Sequence, residues 1–291
     1  MKENRTPLIT IAVVLVIGAL VAVAGSLGGL TLSGIPLFAL AVIAAFALQI
    51  VVYIPSQILR TEHFFDLTGG ATFTLVTVGL LIAHPKVDAR GWVLAAMVIL
   101  WAVRLGAFLF VRVRRSGADD RFDDIKHRPV RFLQVWILQG AWVSLTASAA
   151  WIALTSEVQR PLEWLAYVGI GVWVIGIVIE VTADAQKTAF KADRANSGRF
   201  IRTGLWSRSR HPNYFGEIVL WIGVFLVAAP VLSGWHWVAV ISPLFVILLL
   251  TRVSGIPMLE AKADRTWGDD PAYQAYRRRT PVLIPTLRSP K

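Results

Sequence analysis

A succession of eight apolar segments constrains the fold of this chain more than any other feature. The segments lie near residues 7–25, 35–54, 66–83, 91–112, 130–153, 161–183, 212–230 and 235–252. Each is close to the roughly 20 apolar residues that a helix needs to cross a bilayer. Because 56% of the residues are hydrophobic and only 16% are charged, the chain is far more apolar than a soluble domain. The sequence predicts an all-α, polytopic membrane helix bundle.

The distribution of the 29 Lys and Arg residues predicts the orientation of this bundle. One set of alternate loops carries 25 of them, the opposite side has only Lys86, Arg90 and Arg160, and Arg104 lies inside a segment. Cationic residues collect on cytoplasmic loops, so both termini are expected in the cytoplasm. Five tryptophans then fall at the outer ends of segments, as an interfacial belt requires. They are Trp92, Trp151, Trp164, Trp235 and Trp237.

Composition excludes several classes of function. The net charge of +11 follows from the cytoplasmic loops of a membrane protein, so the expected partner is the lipid bilayer and not nucleic acid. The chain has no cysteine, which excludes disulfides, thiol nucleophiles and cysteine-ligated metals. The first segment is interpreted as a transmembrane helix, with a cleaved signal peptide as the alternative. One loop holds possible metal ligands, but they alternate with Arg121, Lys126 and Arg128 and are interpreted as a solvated loop of mixed charge; they are Asp119, Asp120, Asp123, Asp124 and His127. No metal is therefore expected, and the oligomeric state is left open.

One short stretch concentrates reactive side chains at the start of the seventh apolar segment. It reads Ser209, Arg210, His211, Pro212, Asn213, Tyr214, Phe215, Gly216 and Glu217. Pro212 suits the first turn of a helix, because its missing N–H removes no bond there and its φ is already helical. A helix start presents unpaired N–H groups and a partial positive charge. The stretch therefore predicts a helix start that attracts a phosphate group.

Ionisable side chains within the apolar segments are the other functional candidates, because such groups are costly in a bilayer. Near the cytoplasmic ends lie Asp66, Glu180, Asp184, Glu217 and Arg252, and deeper in the membrane lies Arg104. This distribution predicts a polar cavity that opens to the cytoplasm beneath the loops 113–130 and 184–211 and the tail 253–291. A structural ion pair of Arg104 with Glu180 or Glu217 is the alternative role. Gly169, Gly171 and Gly176 are expected to allow close packing of helices.

The motifs together resemble the bacterial steroid 5α-reductase-like family of membrane proteins. The resemblance is carried by Gly204-Leu205-Trp206, Ser209 to Glu217, Trp221-Ile222-Gly223, Asp184-Ala185-Gln186-Lys187, Phe65 to Gly69, Trp101 to Gly106, Asp120-Arg121-Phe122 and Val253 to Pro257. It covers about residues 60–287. We therefore expect N-terminal transmembrane helices over residues 1–59 and a steroid 5α-reductase-like domain over residues 60–291. The resemblance also implies the bacterial cytoplasmic membrane as the location.

Steroid 5α-reductases use NADPH to reduce a carbon–carbon double bond conjugated to a ketone, and the resemblance implies candidate roles. Candidate cofactor contacts are Arg104, Arg112, Arg115, Arg121, Asp184, Lys187, Lys191, Arg210, His211, Asn213, Glu217 and Arg252. Candidate catalytic residues are Asp66, Glu217, Tyr214 and Tyr53. Trp101 stands where the steroid enzymes carry a tyrosine that polarises the substrate carbonyl. An indole N–H donates a hydrogen bond but is not a usable acid, so the substrate is left open as sterol-like or isoprenoid.

Two alternative functions remain open at this point. The Arg-His-Pro-x-Tyr core also resembles isoprenylcysteine carboxyl methyltransferases and related phospholipid methyltransferases, which bind S-adenosylmethionine. Glu217 directly after Gly216, the Asp184-x-Gln186-Lys187 element and the surplus of cations favour NADPH over a cationic cofactor. A non-enzymatic lipid-binding membrane protein would explain the bundle but not its buried charges. The sequence therefore predicts an NADPH-dependent membrane reductase of a lipophilic substrate.

Overall fold

The computed structural model describes residues 4–116 and 122–286. Its helices are α1 (Arg5–Ser26), α2 (Leu37–Ile58), α3 (Phe65–Ala83), α4 (Ala89–Ser116), α5 (Pro129–Leu154), α6 (Trp164–Ala192), α7 (Pro212–Ala228), α8 (Ile241–Leu248), α9 (Gly255–Trp267) and α10 (Pro271–Arg279). Two short strands, β1 (Thr31–Leu32) and β2 (Ile35–Pro36), form an antiparallel hairpin between α1 and α2. Within the described residues, eight helical stretches are long and apolar enough to cross a membrane. The prediction of an all-α, multi-pass integral membrane protein is confirmed.

The first compact unit comprises Met1–Ala166 and Phe225–Ser242. Helix α5 lies at its centre and packs against α1, α2, α3 and α4, so that 83% of its apolar stretch is buried. Pro129 begins this helix, as the preference of proline for the first turn predicts. The cytoplasmic assignment of any end of these helices stays a prediction.

Helix α5 also corrects one part of the tryptophan prediction. Trp92, Trp164, Trp235 and Trp237 are exposed, as residues of an interfacial belt should be. Trp151 is fully buried, and its indole Nε1 donates to the hydroxyl of Thr77 at 2.9 Å. The belt prediction for Trp151 is wrong, because the helices that surround α5 enclose its end as well as its middle.

The second compact unit comprises Tyr167–Val224 and Pro243–Lys291. It contains most of α6 and α7, a π-helical turn at Leu249–Val253, and the helices α9 and α10. The π turn separates the apolar α8 from α9, whose side chains are strongly mixed in polarity. Asp270 caps α10 by accepting a hydrogen bond from the backbone nitrogen of Ala272 at 2.8 Å.

Candidate functional site

The helix start that the motif predicted forms as expected, since α7 begins at Pro212. Ser209 and His211 precede it and are buried. The backbone nitrogen of His211 donates to the hydroxyl of Ser209 at 3.2 Å, which closes the turn that leads into the helix. Asn213 and Glu217 follow on α7, one helical turn apart and half-buried. The sequence therefore places a polar loop directly against the first turns of a membrane helix.

Helices α6 and α7 approach so closely that only glycine fits between them at three positions. A Cβ on Gly216 would lie 2.7 Å from the backbone nitrogen of Glu180, and one on Gly223 would lie 2.6 Å from that of Trp173. A Cβ on Gly176 would lie 2.5 Å from the backbone nitrogen of Leu220. Each step forward along α7 is matched by an equal step backward along α6, so the two helices are antiparallel. The predicted close packing is confirmed at Gly176, and at Gly169, whose carbonyl oxygen would lie 2.7 Å from a Cβ on Gly223. The prediction is wrong for Gly171, which is exposed and has no atom within 4 Å of an added Cβ, because it lies on the face of α6 turned away from α7.

This register brings two of the predicted acidic residues to the start of α7. Glu180 lies level with Gly216, and Asp184 lies one turn further along α6, level with Pro212. Both side chains are buried, with 2% and 7% of their surface exposed. The acids of α6 and the polar residues of α7 therefore share one end of a two-helix pair.

The loop before the motif is attached to α6 by a second set of contacts. Gln186 accepts a hydrogen bond from the backbone nitrogen of Leu205 at 2.9 Å, and the indole of Trp206 donates to the carbonyl of Ala183 at 3.0 Å. Gly204 has a φ of +60° and lies so close to Gln186 that a side chain would collide with it. The Nζ of Lys187 lies 4.5 Å from the centre of the Trp206 ring, within range of a cation–π contact.

The C-terminal tail folds back over the same loop. The backbone nitrogen of Arg210 donates to the carbonyl of Pro281 at 2.9 Å, and the hydroxyl of Ser209 donates to the carbonyl of Leu283 at 2.7 Å. The backbone nitrogen of Thr286 donates to the carbonyl of Arg208 at 3.0 Å. The tail and the motif therefore form one hydrogen-bonded layer.

Helix α10 contributes to this layer through aromatic residues. Tyr276 donates its phenol proton to the carbonyl of Trp206 at 2.7 Å, and burial raises its pKa well above the usual range. Its ring also packs against Phe200, as do the rings of Trp267 and Tyr273. Because the phenol of Tyr276 is neutral and donates to the carbonyl of Trp206, it holds the loop before the motif against α10.

The charged centre of the layer is a carboxylate from α9. Glu260 forms an ion pair with Arg210, and its other oxygen lies 2.7 Å from Nε2 of His211. Burial lowers the pKa of the His211 imidazole, while the hydrogen bond and the charge of Glu260 act in the opposite direction. Lys187 and Arg210 add to the lowering by repulsion. The ring of His211 is stacked parallel to that of Tyr214, with centroids 5.8 Å apart.

The structure thus brings together the predicted site residues of the second unit around the start of α7. These are Asp184, Lys187, Arg210, His211, Asn213, Tyr214 and Glu217. Lys191 is exposed near the end of α6, and Arg252 is exposed within the π turn. Arg252 therefore lies in a π-helical distortion of the kind that is frequent at functional sites.

The other predicted residues belong to the first unit. Tyr53 donates its phenol proton to the carbonyl of Pro129 at 3.1 Å, Asp66 lies in the first turn of α3, and Arg104 lies over the ring of Phe108. Trp101 is fully buried against Phe73. Arg112 and Arg115 fall near the end of α4, but their side chains, like the whole of Arg121, lie outside the described residues. The predicted roles of all these residues stay predictions.

Sequence reasoning missed two carboxylates. Glu260 organises the motif but lies 50 residues after Arg210, in a tail helix with several other charged residues. Glu62 is buried and pairs with Lys126 at 3.3 Å, beside a cluster of the aromatic residues Phe122, Phe132 and Trp136. One feature of the sequence indicated Glu62, namely its position just before α3, four residues ahead of the predicted site residue Asp66.

The donors and acceptors around the start of α7 fit an anionic, polar cofactor. Among the described residues, no group of three or more His, Asp or Glu side chains is placed to hold a metal ion. The positive end of the α7 helix dipole and the half-buried cation of Lys187 suit phosphate, whereas Asn213 and Glu217 offer an amide and a carboxylate further along the helix.

Comparison with known proteins gives three relatives whose sequence identities to this chain are similar. The chain is 28% identical over 150 residues to the steroid 5-alpha-reductase DET2 of Gossypium hirsutum, covering 52% of this chain and 51% of the relative. It is 27% identical over 128 residues to the 3-oxo-5-alpha-steroid 4-dehydrogenase 1 of Rattus norvegicus, covering 42% and 44%. It is 26% identical over 170 residues to the uncharacterized protein C594.04c of Schizosaccharomyces pombe, covering 48% of each.

The chain thus spans about half the length of the curated relatives that it matches. No solved structure shows significant similarity to it. The match to a family is more extensive, since it includes residues 52–280 and therefore the helices α3 to α10, with the motif at the start of α7 among them. On this match, the chain belongs to the family described as "Protein of unknown function (DUF1295)".

Proposed function

We propose that this chain is an NADPH-dependent membrane reductase of a carbon–carbon double bond in a lipid-soluble, sterol-like or isoprenoid substrate. One observation carries the proposal. The antiparallel register of α6 and α7 puts Asp184 and Lys187 beside the helix start that bears Asn213 and Glu217. The names of two relatives, a steroid 5-alpha-reductase and a 3-oxo-5-alpha-steroid 4-dehydrogenase, support the choice of reaction.

The proposed site divides into a phosphate end and a reactive end. Lys187 and the N–H groups at the start of α7 would hold phosphates, with the exposed Lys191 and the half-buried Arg208 adding positive potential. Asn213 and Glu217, further along α7, would orient the nicotinamide half. NADPH, when bound, supplies the hydride, whereas the protein supplies orientation and electrostatics. Arg104, Arg112, Arg115, Arg121 and Arg252 are proposed as further phosphate contacts.

Reduction of a double bond also requires a proton donor near the carbon or oxygen on which negative charge develops. We propose Asp66, Tyr53 and Tyr214 as candidates. Of these, the Tyr53 phenol already donates to a backbone carbonyl, so it would have to exchange this partner for the substrate. We further propose that the site faces the cytoplasm, because 25 of the 29 Lys and Arg residues lie on that set of loops.

The proposal is tested by ligand titration of the purified protein in detergent, with NADPH, NADH and S-adenosylmethionine and with the melting temperature as the readout. We expect NADPH to stabilise the protein in a concentration-dependent way. Stabilisation by S-adenosylmethionine alone would establish the methyltransferase alternative. No response to any of the three would favour a non-enzymatic lipid-binding protein.

A matched pair of variants assigns the binding to the site. Glu217→Gln removes the charge of the carboxylate on α7 and is expected to weaken NADPH binding while leaving the unliganded protein folded. Glu163→Gln makes the same change at an exposed position before α6 and is expected to bind NADPH as the unaltered protein does. Equal affinities of both variants would remove Glu217 from the site.

A further inference from the structure

Glu260 joins two neighbouring residues of the motif with one carboxylate. Its two oxygens contact different partners, Arg210 and Nε2 of His211, so the acid bridges the last two residues before α7. Only 18% of its side-chain surface is exposed, and the partners are buried further, at 10% and 6%. A carboxylate shared by two buried donors fixes their relative position more tightly than a single bond does.

Two further nitrogens of this cluster, one on each partner of Glu260, make no hydrogen bond among the described residues. They are Nε of Arg210 and Nδ1 of His211, and both are buried. If the carboxylate were lost, additional buried nitrogens would be left unpaired, and the guanidinium would lack a counter-charge. The geometry of Arg210 and His211 therefore depends on Glu260 and not on a redundant network.

The bridge continues into the first turn of α7. His211 adjoins Pro212, the first residue of the helix, and its ring lies parallel to that of Tyr214. The same α9 helix presents Gly255 to Tyr214, where an added Cβ would lie 2.9 Å from the tyrosine ring. Helix α9 thus holds the first turn of α7 at two points, by charge at Glu260 and by close packing at Gly255.

We infer that Glu260 is a positioning residue of the cofactor site. It acts through His211 and sets the first turn of α7, which carries Asn213 and leads into the turn that carries Glu217. The inference rests on the proposed function, because it assigns to Glu260 the orientation of groups that would bind NADPH. It also gives Arg210 a different role from the one that the motif suggested. The charge of Arg210 is compensated by Glu260, so the attraction of phosphate falls to Lys187 and the helix start.

The test compares the affinity for NADPH of four proteins, measured by titration in detergent alongside the melting temperature of each unliganded protein. Glu260→Gln is expected to lose about tenfold or more in affinity, since small misplacements of binding groups cost at least this much. Glu260→Asp keeps the charge on a shorter side chain, and its affinity for NADPH is expected to lie between that of Glu260→Gln and that of the unaltered protein. Asp264→Asn is the matched control, because Asp264 lies on the same helix in an ion pair with Arg277 that is well exposed at 39% and 38%.

A double-mutant cycle separates positioning from general destabilisation. If Glu260 acts through His211, Glu260→Gln made in a His211→Phe background, whose ring cannot donate to the carboxylate, is expected to cause little additional loss of affinity. Equal affinities of Glu260→Gln and the unaltered protein, or additive losses in the cycle, would overturn the inference while leaving the proposed function in place. Failure of the unaltered protein to bind NADPH would instead overturn the proposed function, and the assignment of Glu260 with it.

Discussion

A methyl group placed on Gly176 would lie 2.5 Å from the backbone nitrogen of Leu220. This relationship means that α6 and α7 touch through their backbones, at a distance that no side chain other than hydrogen allows. Small residues serve this purpose in membrane helices, where association depends on van der Waals packing. The contact sets the register that brings Asp184 level with Pro212, so the packing of apolar faces determines the geometry of the polar site.

Substitution of Gly176 tests this contact directly. Gly176→Ala is expected to lower the free energy of unfolding by about 1 to 3 kcal/mol, because the added methyl group forces the two backbones apart. Gly171→Ala lies on the same helix at an exposed position with no atom near the new Cβ, and it is expected to be neutral or slightly stabilising. Denaturant unfolding in detergent measures the free energy of unfolding of both variants. Equal stability of the two variants would show that the helices can separate without cost.

Arg90 joins three segments of the first compact unit that are distant in the sequence. It is almost fully buried, and its two Nη atoms donate to the carbonyls of Val227 and Pro161 at 2.6 and 2.7 Å. Arg90→Met is expected to lower the free energy of unfolding by at least about 2 kcal/mol, because both carbonyls lose their donor. Arg160→Met is the control, since Arg160 is exposed on the same side of the chain. Similar melting temperatures for the two variants would contradict the structural role of Arg90.

The hydroxyl of Ser209 is expected to determine how firmly the tail is held. Ser209→Ala removes the hydrogen bond to the carbonyl of Leu283, which at about 1 kcal/mol corresponds to roughly fivefold faster opening of the tail. Hydrogen exchange of the amides of residues 281–286 measures the opening. Ser207→Ala serves as the control, because its hydroxyl donates only to the nearby carbonyl of Gly204. Unchanged exchange in Ser209→Ala would mean that the backbone bonds alone hold the tail.

Sequence reasoning succeeded where the determining interaction is local. The eight membrane segments follow from hydropathy, and the start of α7 follows from the position of Pro212 relative to an apolar segment. The first two features depend on residues within one or two helical turns of each other. Close helix packing was expected at every glycine of α6 from composition alone, and it is found at Gly176 but not at the exposed Gly171, because the sequence of one helix does not show which face meets its neighbour.

The parts that could not be predicted depend on partners distant in the chain. Glu260 meets Arg210 across 50 residues and Glu62 meets Lys126 across 64, so neither pair has a spacing that indicates contact. Trp151 is buried because four other helices surround α5, whereas the sequence shows only that it lies near the end of an apolar segment. Burial inside a bundle is a property of the neighbours, and hydropathy does not distinguish it from exposure to lipid.

The buried imidazole of His211 is expected to make stability depend on pH. Its pKa is lowered in the folded protein, mainly by burial, with Glu260 opposing and Lys187 and Arg210 reinforcing the change. As the pH falls through about 6.5, the unfolded chain therefore binds a proton that the folded protein still resists. Stability is then lost progressively toward the folded-state pKa, at no more than about 1.4 kcal/mol per pH unit from this group.

His211→Gln isolates this contribution, because an amide can still donate to Glu260 but does not titrate. We expect the free energy of unfolding to fall less between pH 7.5 and pH 5.5 in this variant than in the unaltered protein, while the other four histidines contribute equally to both. Denaturant unfolding at a series of pH values measures the difference in slope. Parallel curves would show that Glu260 offsets burial, so that the pKa of His211 is the same in the folded and unfolded protein. A smaller loss of stability in the unaltered protein than in His211→Gln would show that Glu260 outweighs burial, and that the bridge holds an imidazolium next to the start of α7.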